Sequence, residues 1–440
     1  MIKNIAPHKI LLLSIFIWVL FYISIPTTYI NISPSFFPVT LLISYILAFL
    51  FGMLIIRGKK ELIKTKINQK DRLIANCSII IGTIGTILKF YQRFIQQGYL
   101  FTSDYTKLRI ELMSGELNSG GLGLVTALLA PFGLLSFLMI MYYRKQYSKW
   151  LFFYSFLIGM YPVFESLFTQ GRIIIVMVMA MIVTVLLFHI NNFSNVFKNT
   201  VKISIFKYRL FSLPKVLASK KIMIPTLVLG FLFLTFSVRV VKARLDLFNY
   251  RNVIPIWERQ QEMRLDDDFK KKALSSEDLN LEIAKYSLKH YFVHGVFEYI
   301  RLVNHVSEPF GTYYGEYEFN PYFKFLRLLG VKQKSFGELN DVVYKKNVYT
   351  TFWGPFYLDF GIFGILIAFV FGAILKFIYI KARNGYLPYI LFYSYFSFVI
   401  LGSMFLNLMI GSSIYIFNSL IVVLLLYQIV PTNISKKLIK

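Results

Sequence analysis

Ten apolar runs, most of them close to twenty residues long, recur along this 440-residue chain. A helix needs about 20 apolar residues to cross a bilayer. Backbone polar groups in hydrocarbon must be satisfied within the segment or in a closed barrel. A barrel would show short alternating segments, and these runs are long and unbroken. The runs are Lys9–Ile30, Phe36–Ile56, Leu73–Tyr91, Leu122–Tyr143, Trp150–Phe168, Ile173–His189, Ile222–Val241, Gly361–Ile380, Leu387–Leu408 and Ser412–Val430. Composition agrees, with 56% hydrophobic and 16% charged residues. Soluble domains have about 45–50% apolar and about 25% charged residues. A soluble enzyme and a disordered chain are both excluded. The sequence predicts an all-α polytopic membrane protein of about ten transmembrane helices. The first run is too long for a signal peptide and has no small-x-small cleavage site, so it is expected to be a first span.

The net charge of +26 would suit a nucleic-acid binder, but its distribution points elsewhere. Six segments, at the two termini and at 57–72, 143–149, 191–221 and 381–386, hold 24 Lys and Arg. Against them stand only Glu61 and Asp71. Basic loops stay in the cytoplasm. All ten spans then alternate without conflict, with both termini inside and no nucleic acid as partner. The opposite side carries residues 92–121 and the long loop Arg244–Thr350, which is nearly neutral with 16 basic and 15 acidic residues. Long loops without structure of their own are uncommon. The chain therefore divides into a bundle of seven spans (1–243), an external loop domain (244–350) and a bundle of three spans (351–440), with no internal repeat. The single cysteine, Cys77, lies in an apolar run and is expected to be core filler.

Four features on the external side carry chemistry. Arg172 stands in "FTQGRIIIV" between the fifth and sixth spans, about two turns after Glu165. It is either an interfacial arginine snorkelling to head groups, partnered by Glu165, or an anion site. Arg239, Lys242, Arg244 and Arg251 crowd "SVRVVKARLDLFNYR" after the seventh span, where the orientation rule disfavours basic charge. Arginine suits bidentate phosphate contacts. A helix is predicted from Tyr286 to Val306. At about 100° per residue, His290, Arg301, His294, His305 and Glu298 fall within roughly 80° of its circumference. His290 and His294 have a spacing that can bind zinc, but no third ligand accompanies them, so no metal is expected. Asp359, in "NVYTTFWGPFYLDFGIFGILI" (Asn347 to Ile367), is a lone carboxylate at the mouth of the eighth span. It reads as a helix cap, as the partner of an external arginine, or as a group facing water. No Walker loop, HExxH or dinucleotide fingerprint occurs.

The ten-span layout, the "TQGR" before a span and the segment "YTTFWGPFYLDFGIFG" resemble the Wzy-type oligosaccharide repeat-unit polymerases. "HGVFEYIRLVNHVSEPFGTYYGEYEFNPYFKFLRLLG" is similar to that family's long periplasmic loop. The likeness covers the whole chain in topology and short stretches in residues. It implies a fold like the GT-C-like glycosyltransferases that use lipid diphosphates. It implies an enzyme that makes O-antigen or capsular polysaccharide at the outer face of the bacterial cytoplasmic (inner) membrane. The substrates are undecaprenyl-diphosphate-linked oligosaccharides, membrane lipids surround the protein, and a polysaccharide chain-length regulator is a further partner. No cofactor is implied, because the energy lies in the glycosyl phosphate bond. In these terms Arg172, Arg239, Lys242, Arg244, Arg251, Arg301 and His290 bind substrate, and His294, His305 and Asp359 are candidates for the base. An O-antigen ligase uses the same donor and is the nearest alternative. A lipid-linked oligosaccharide flippase is a second, disfavoured by the single large external domain.

Overall fold

The computed structural model describes residues 5–32, 36–58, 67–99, 120–169, 171–193, 200–205, 208–214, 220–246, 253–306, most of 313–345, 348–409 and 413–430. Arg251 and positions 100–119 lie outside them. The architecture is that of a helical, multi-pass membrane protein. Seven helices are long and apolar enough to cross a membrane among the described residues. In chain order the first helices are α1 (Pro7–Ser24), α2 (Phe36–Ile55) and α3 (Gln69–Phe90), which runs on as a π-helical turn, Tyr91–Gln96. The fourth and fifth spans are each two helices: α4 (Gly120–Leu129) with α5 (Pro131–Tyr142), and α6 (Lys149–Gly159) with α7 (Tyr161–Phe168). Pro131 and Pro162 cause these breaks, since proline cannot donate to the preceding turn. Then come α8 (Arg172–Phe193) and α9 (Lys220–Leu245).

The loop domain holds α10 (Val253–Gln261), α11 (Asp267–Leu274), α12 (Leu279–Tyr291) and α13 (His294–His305). The last helices are α14 (Trp353–Phe360), α15 (Gly364–Arg383), α16 (Leu387–Gly402) and α17 (Ser413–Ile429). α14 and α15 form one 31-residue span, bent at Gly361, whose φ of 50° suits glycine. α16 and the apolar part of α17, Ile414–Ile429, are apolar but shorter than the other spans.

Burial decides which helices are central. Every residue of α5 is buried, and so is nearly all of α16. α2 lies against α15 at very close range: a Cβ on Gly52 would meet the Phe369 carbonyl oxygen at 2.0 Å, and one on Gly372 the Phe49 oxygen at 2.1 Å. Small residues let spans approach where hydrophobicity gives no driving force. Cys77 does not fill the core; it sits on the exposed face of α3.

Two sheets qualify the all-helical expectation. The first apolar run does not continue to Ile30 as helix. Ile25 is extended, as residues before proline tend to be, and Thr27–Tyr29 (β1) pairs antiparallel with Met263–Leu265 (β4). A hairpin of Thr200–Ile205 (β2) and Tyr208–Pro214 (β3) lies in the basic segment between α8 and α9. The β1–β4 ribbon ties the loop domain to the first span. In this segment Trp257, Met263, Leu279, Ile283 and Tyr286 cluster with Ile25 and with Val241 and Leu245 of α9, while Tyr299, Leu302 and Val303 of α13 belong to the main core of the bundle.

Orientation is open to a direct check. With Cys77 replaced, a cysteine at exposed Ser275 should react with a membrane-impermeant maleimide in intact cells. One at Ser212 should react only after permeabilisation. The reverse pattern would invert the topology.

Candidate functional site

The helix expected from Tyr286 to Val306 is two helices. Phe292 and Val293 turn the chain, and α13 restarts at His294. Gly295 makes this corner possible, because a Cβ there would meet the Phe405 carbonyl oxygen at 2.3 Å. The Gly295 carbonyl accepts the Thr351 N–H at 3.2 Å, so the corner docks on the start of α14 and on the turn after α16. The polar stripe survives the break. His290, His294, Glu298 and Arg301 are all buried, whereas His305 is exposed at the end of α13.

The two histidine rings stack at 5.1 Å. His290 pairs through Nδ1 with the Tyr29 hydroxyl at 3.2 Å and through Nε2 with Gln261 Oε1 at 3.1 Å. Gln261 Oε1 can only accept, so Nε2 carries the His290 proton. His294 Nδ1 donates to the His290 carbonyl at 3.2 Å, which leaves Nε2 as its basic nitrogen. Burial pushes the His294 pKa down to about 4 and that of His290 well below its usual value. Both rings are therefore neutral at pH 7. Tyr291 meets His294 edge-on at 5.6 Å, and the Arg172 guanidinium lies 4.8 Å over the Tyr291 ring. The link between the fifth and sixth spans is thus brought against the histidine pair.

Below the histidines lies an ionic core. Arg301 hydrogen-bonds Glu298 and donates to the carbonyls of Ile30 (2.7 Å), Glu262 (2.6 Å) and Gln261 (3.4 Å). Lys345 Nζ lies 3.4 Å from Glu298 and 3.6 Å from Glu262. Tyr344 donates to Glu262 at 2.9 Å, and the His305 ring packs 5.4 Å from Tyr344. Two cations balance two carboxylates. Arg301, expected to face substrate, is instead engaged in joining α13 to β1 and to the α10–β4 turn. Beside this core is an open depression of about 280 Å³, lined by Asn31, Arg259, Glu262 and Arg264 among others.

Asp359 is fully buried and caps a turn. Its two carboxylate oxygens accept the N–H groups of Tyr317 and Glu318, each at 2.9 Å. No arginine pairs with it among the described residues. α13 runs alongside α14, with the Tyr357 hydroxyl donating to the Val306 carbonyl at 3.0 Å, but the polar stripe turns toward β1 and α10 rather than toward Asp359. Glu318 is buried beside it and accepts from Asn407 at 2.6 Å. Burial and the neighbouring Asp359 charge raise the Glu318 pKa from 4.5 to about 8, so Glu318 holds a proton at pH 7. The folded form binds that proton more tightly than the unfolded form. Its stabilisation is full below pH 4.5 and is lost as pH rises through about 8. Hydrogen exchange in segment 313–320 should quicken over that window, and Glu318→Gln should flatten the profile. An identical profile in both proteins would refute this.

The second basic cluster disperses. Arg239 is exposed, Lys242 pairs with Asp278 at 2.7 Å, and Arg244 is half-buried. Arg172 does not pair with Glu165, whose carboxylate is held by Lys89 at 2.8 Å and Arg93 at 3.0 Å. The half-buried Arg172 thus has no carboxylate partner among the described residues. Glu262, Lys345 and Glu318 were not legible as site residues, since each acts through a contact distant in sequence. Among the described residues no group of three or more His, Cys, Asp and Glu is placed to hold a metal. No family model matches the chain, no curated protein matches its sequence, and no solved structure matches its fold.

Proposed function

We propose that the chain is a polymerase of undecaprenyl-diphosphate-linked oligosaccharide repeat units, acting at the outer face of a bacterial cytoplasmic membrane with both termini inside. One observation supports this reading most: Arg172, a guanidinium without a carboxylate partner among the described residues, lies beside a neutral histidine pair where spans meet the loop domain. In the reaction, an acceptor sugar hydroxyl attacks the anomeric carbon of the growing chain. The C–O bond to the lipid diphosphate breaks as the new glycosidic bond forms. Arg172 stabilises the charge that develops on the leaving diphosphate. His294 Nε2 takes the hydroxyl proton. The exposed Arg259 and Arg264 flank the depression where the oligosaccharide lies.

The test is reconstitution. Purified protein in liposomes with lipid-linked repeat units should yield a ladder of longer saccharides without nucleotide. A product that stays at one repeat unit would reject the proposal.

A further inference from the structure

A second cluster of charge lies where the π-helical turn after α3 meets α7. Lys89 and Arg93 share the single carboxylate of Glu165, so the group carries one net positive charge. Arg93 also donates to Gln97 Oε1 at 2.7 Å. Its cations are not sealed: their side chains keep 23% and 24% of their exposure. Among the described residues two buried donors here have no partner, the Gln97 amide nitrogen and the Tyr161 hydroxyl. These residues are 8% and 6% exposed. Tyr161 stands one turn before Glu165 on the same face of α7. It lies within Coulombic reach of both Glu165 and Arg93.

An unpaired buried donor is costly. Here an amide N–H and a hydroxyl that can donate stand beside a net positive charge, a combination that suits an acceptor-rich anion. The π-helical turn supports this, since such turns recur at functional sites. The flank is apolar and outward-facing: Tyr91 of the π-helical turn and Phe164 and Leu167 of α7 are exposed. Both helices belong to membrane-length apolar segments. An anion held there with an apolar flank beside it is the head of a lipid.

We propose that Lys89, Arg93, Gln97 and Tyr161 bind the phosphate or diphosphate head of a membrane lipid, with its apolar tail along α3 and α7. Glu165 orients the two cations and weakens their grip on the anion, which lets the lipid exchange. The site uses none of the residues assigned to the reaction above, and it stands whether or not the chain polymerises sugars.

The test uses the full chain, purified in detergent and carrying Arg172→Ala so that Arg172 contributes nothing. The probes are farnesyl diphosphate, dioleoylphosphatidylglycerol and inorganic diphosphate, with affinity read by native mass spectrometry. Farnesyl diphosphate should bind saturably. Arg93→Gln should weaken it about tenfold or more, as expected for a charge-assisted hydrogen bond. Tyr161→Phe should weaken it about threefold, the loss of one neutral bond. Glu165→Gln should tighten it, an effect opposite to that of a merely damaged fold. Displacement by dioleoylphosphatidylglycerol with the same variant pattern supports a general lipid-phosphate site. Inorganic diphosphate binding as tightly as the farnesyl form would overturn the lipid assignment. Absent binding, or affinities unchanged in both Arg93→Gln and Glu165→Gln, would overturn the site.

Discussion

Replacing Arg301 with alanine should loosen the whole junction between the loop domain and the first span. The side chain is fully buried and serves Glu298, Glu262 and three backbone carbonyls. Removing one partner of a buried ionic network costs about 3–5 kcal/mol, because the remaining charges and carbonyls stay buried without compensation. Here Lys345 would retain Glu298 and Glu262, while the carbonyls of Ile30 and Gln261 would lose the Arg301 donor and that of Glu262 would keep only the Ile30 N–H. The first elements to open should be the β1–β4 ribbon and the α12–α13 corner. Hydrogen exchange on the purified protein should show that loss of protection there, with α5 and α16 unchanged. Full protection at the ribbon in Arg301→Ala would contradict the structural role.

Arg172 should behave in the opposite way, with a large loss of activity and little loss of stability. Its guanidinium stacks on Tyr291 and has no ionic partner among the described residues, so its removal leaves no buried carboxylate stranded. Each charge-assisted bond to a diphosphate is worth about 1.5–3 kcal/mol, at least a tenfold loss of rate for one bond. Arg172→Lys keeps the charge but loses the planar fork and much of the stack, so it should fall nearly as far. Normal polymer from both Arg172→Ala and Arg172→Lys, at normal protein levels, would remove Arg172 from the reaction.

The fold was legible wherever it depended on local chemistry. Apolar runs mark the membrane-length helices among the described residues, but the breaks at Pro131 and Pro162 fall inside runs expected to be continuous. The histidine stripe was legible because a helical period survives a corner of two residues. The corner itself was not, since it depends on Gly295 meeting the distant Phe405 backbone. The same holds for β1, an apolar stretch that becomes strand only because Met263–Leu265 lies beside it. Arg301 and Asp359 stood out as polar groups in apolar surroundings, but residue type does not tell a ligand contact from a fold contact. Arg301 is met by backbone carbonyls and Asp359 by backbone N–H groups, partners that carry no sequence signal. Arg172 differs because the structure leaves it without an ionic partner among the described residues.

The most direct measurement of the proposed activity gives each partner its own label. One lipid-linked repeat unit carries a fluorophore on the sugar, and a second carries biotin on the sugar, both on undecaprenyl diphosphate. Purified protein in liposomes should produce a saccharide bearing both labels and release undecaprenyl diphosphate, with the signal lost in Arg172→Ala. Lipid-linked units that cross the bilayer unchanged would show a flippase instead. Transfer to lipid A core without repeat-to-repeat joining would show a ligase, and either result would contradict the polymerase.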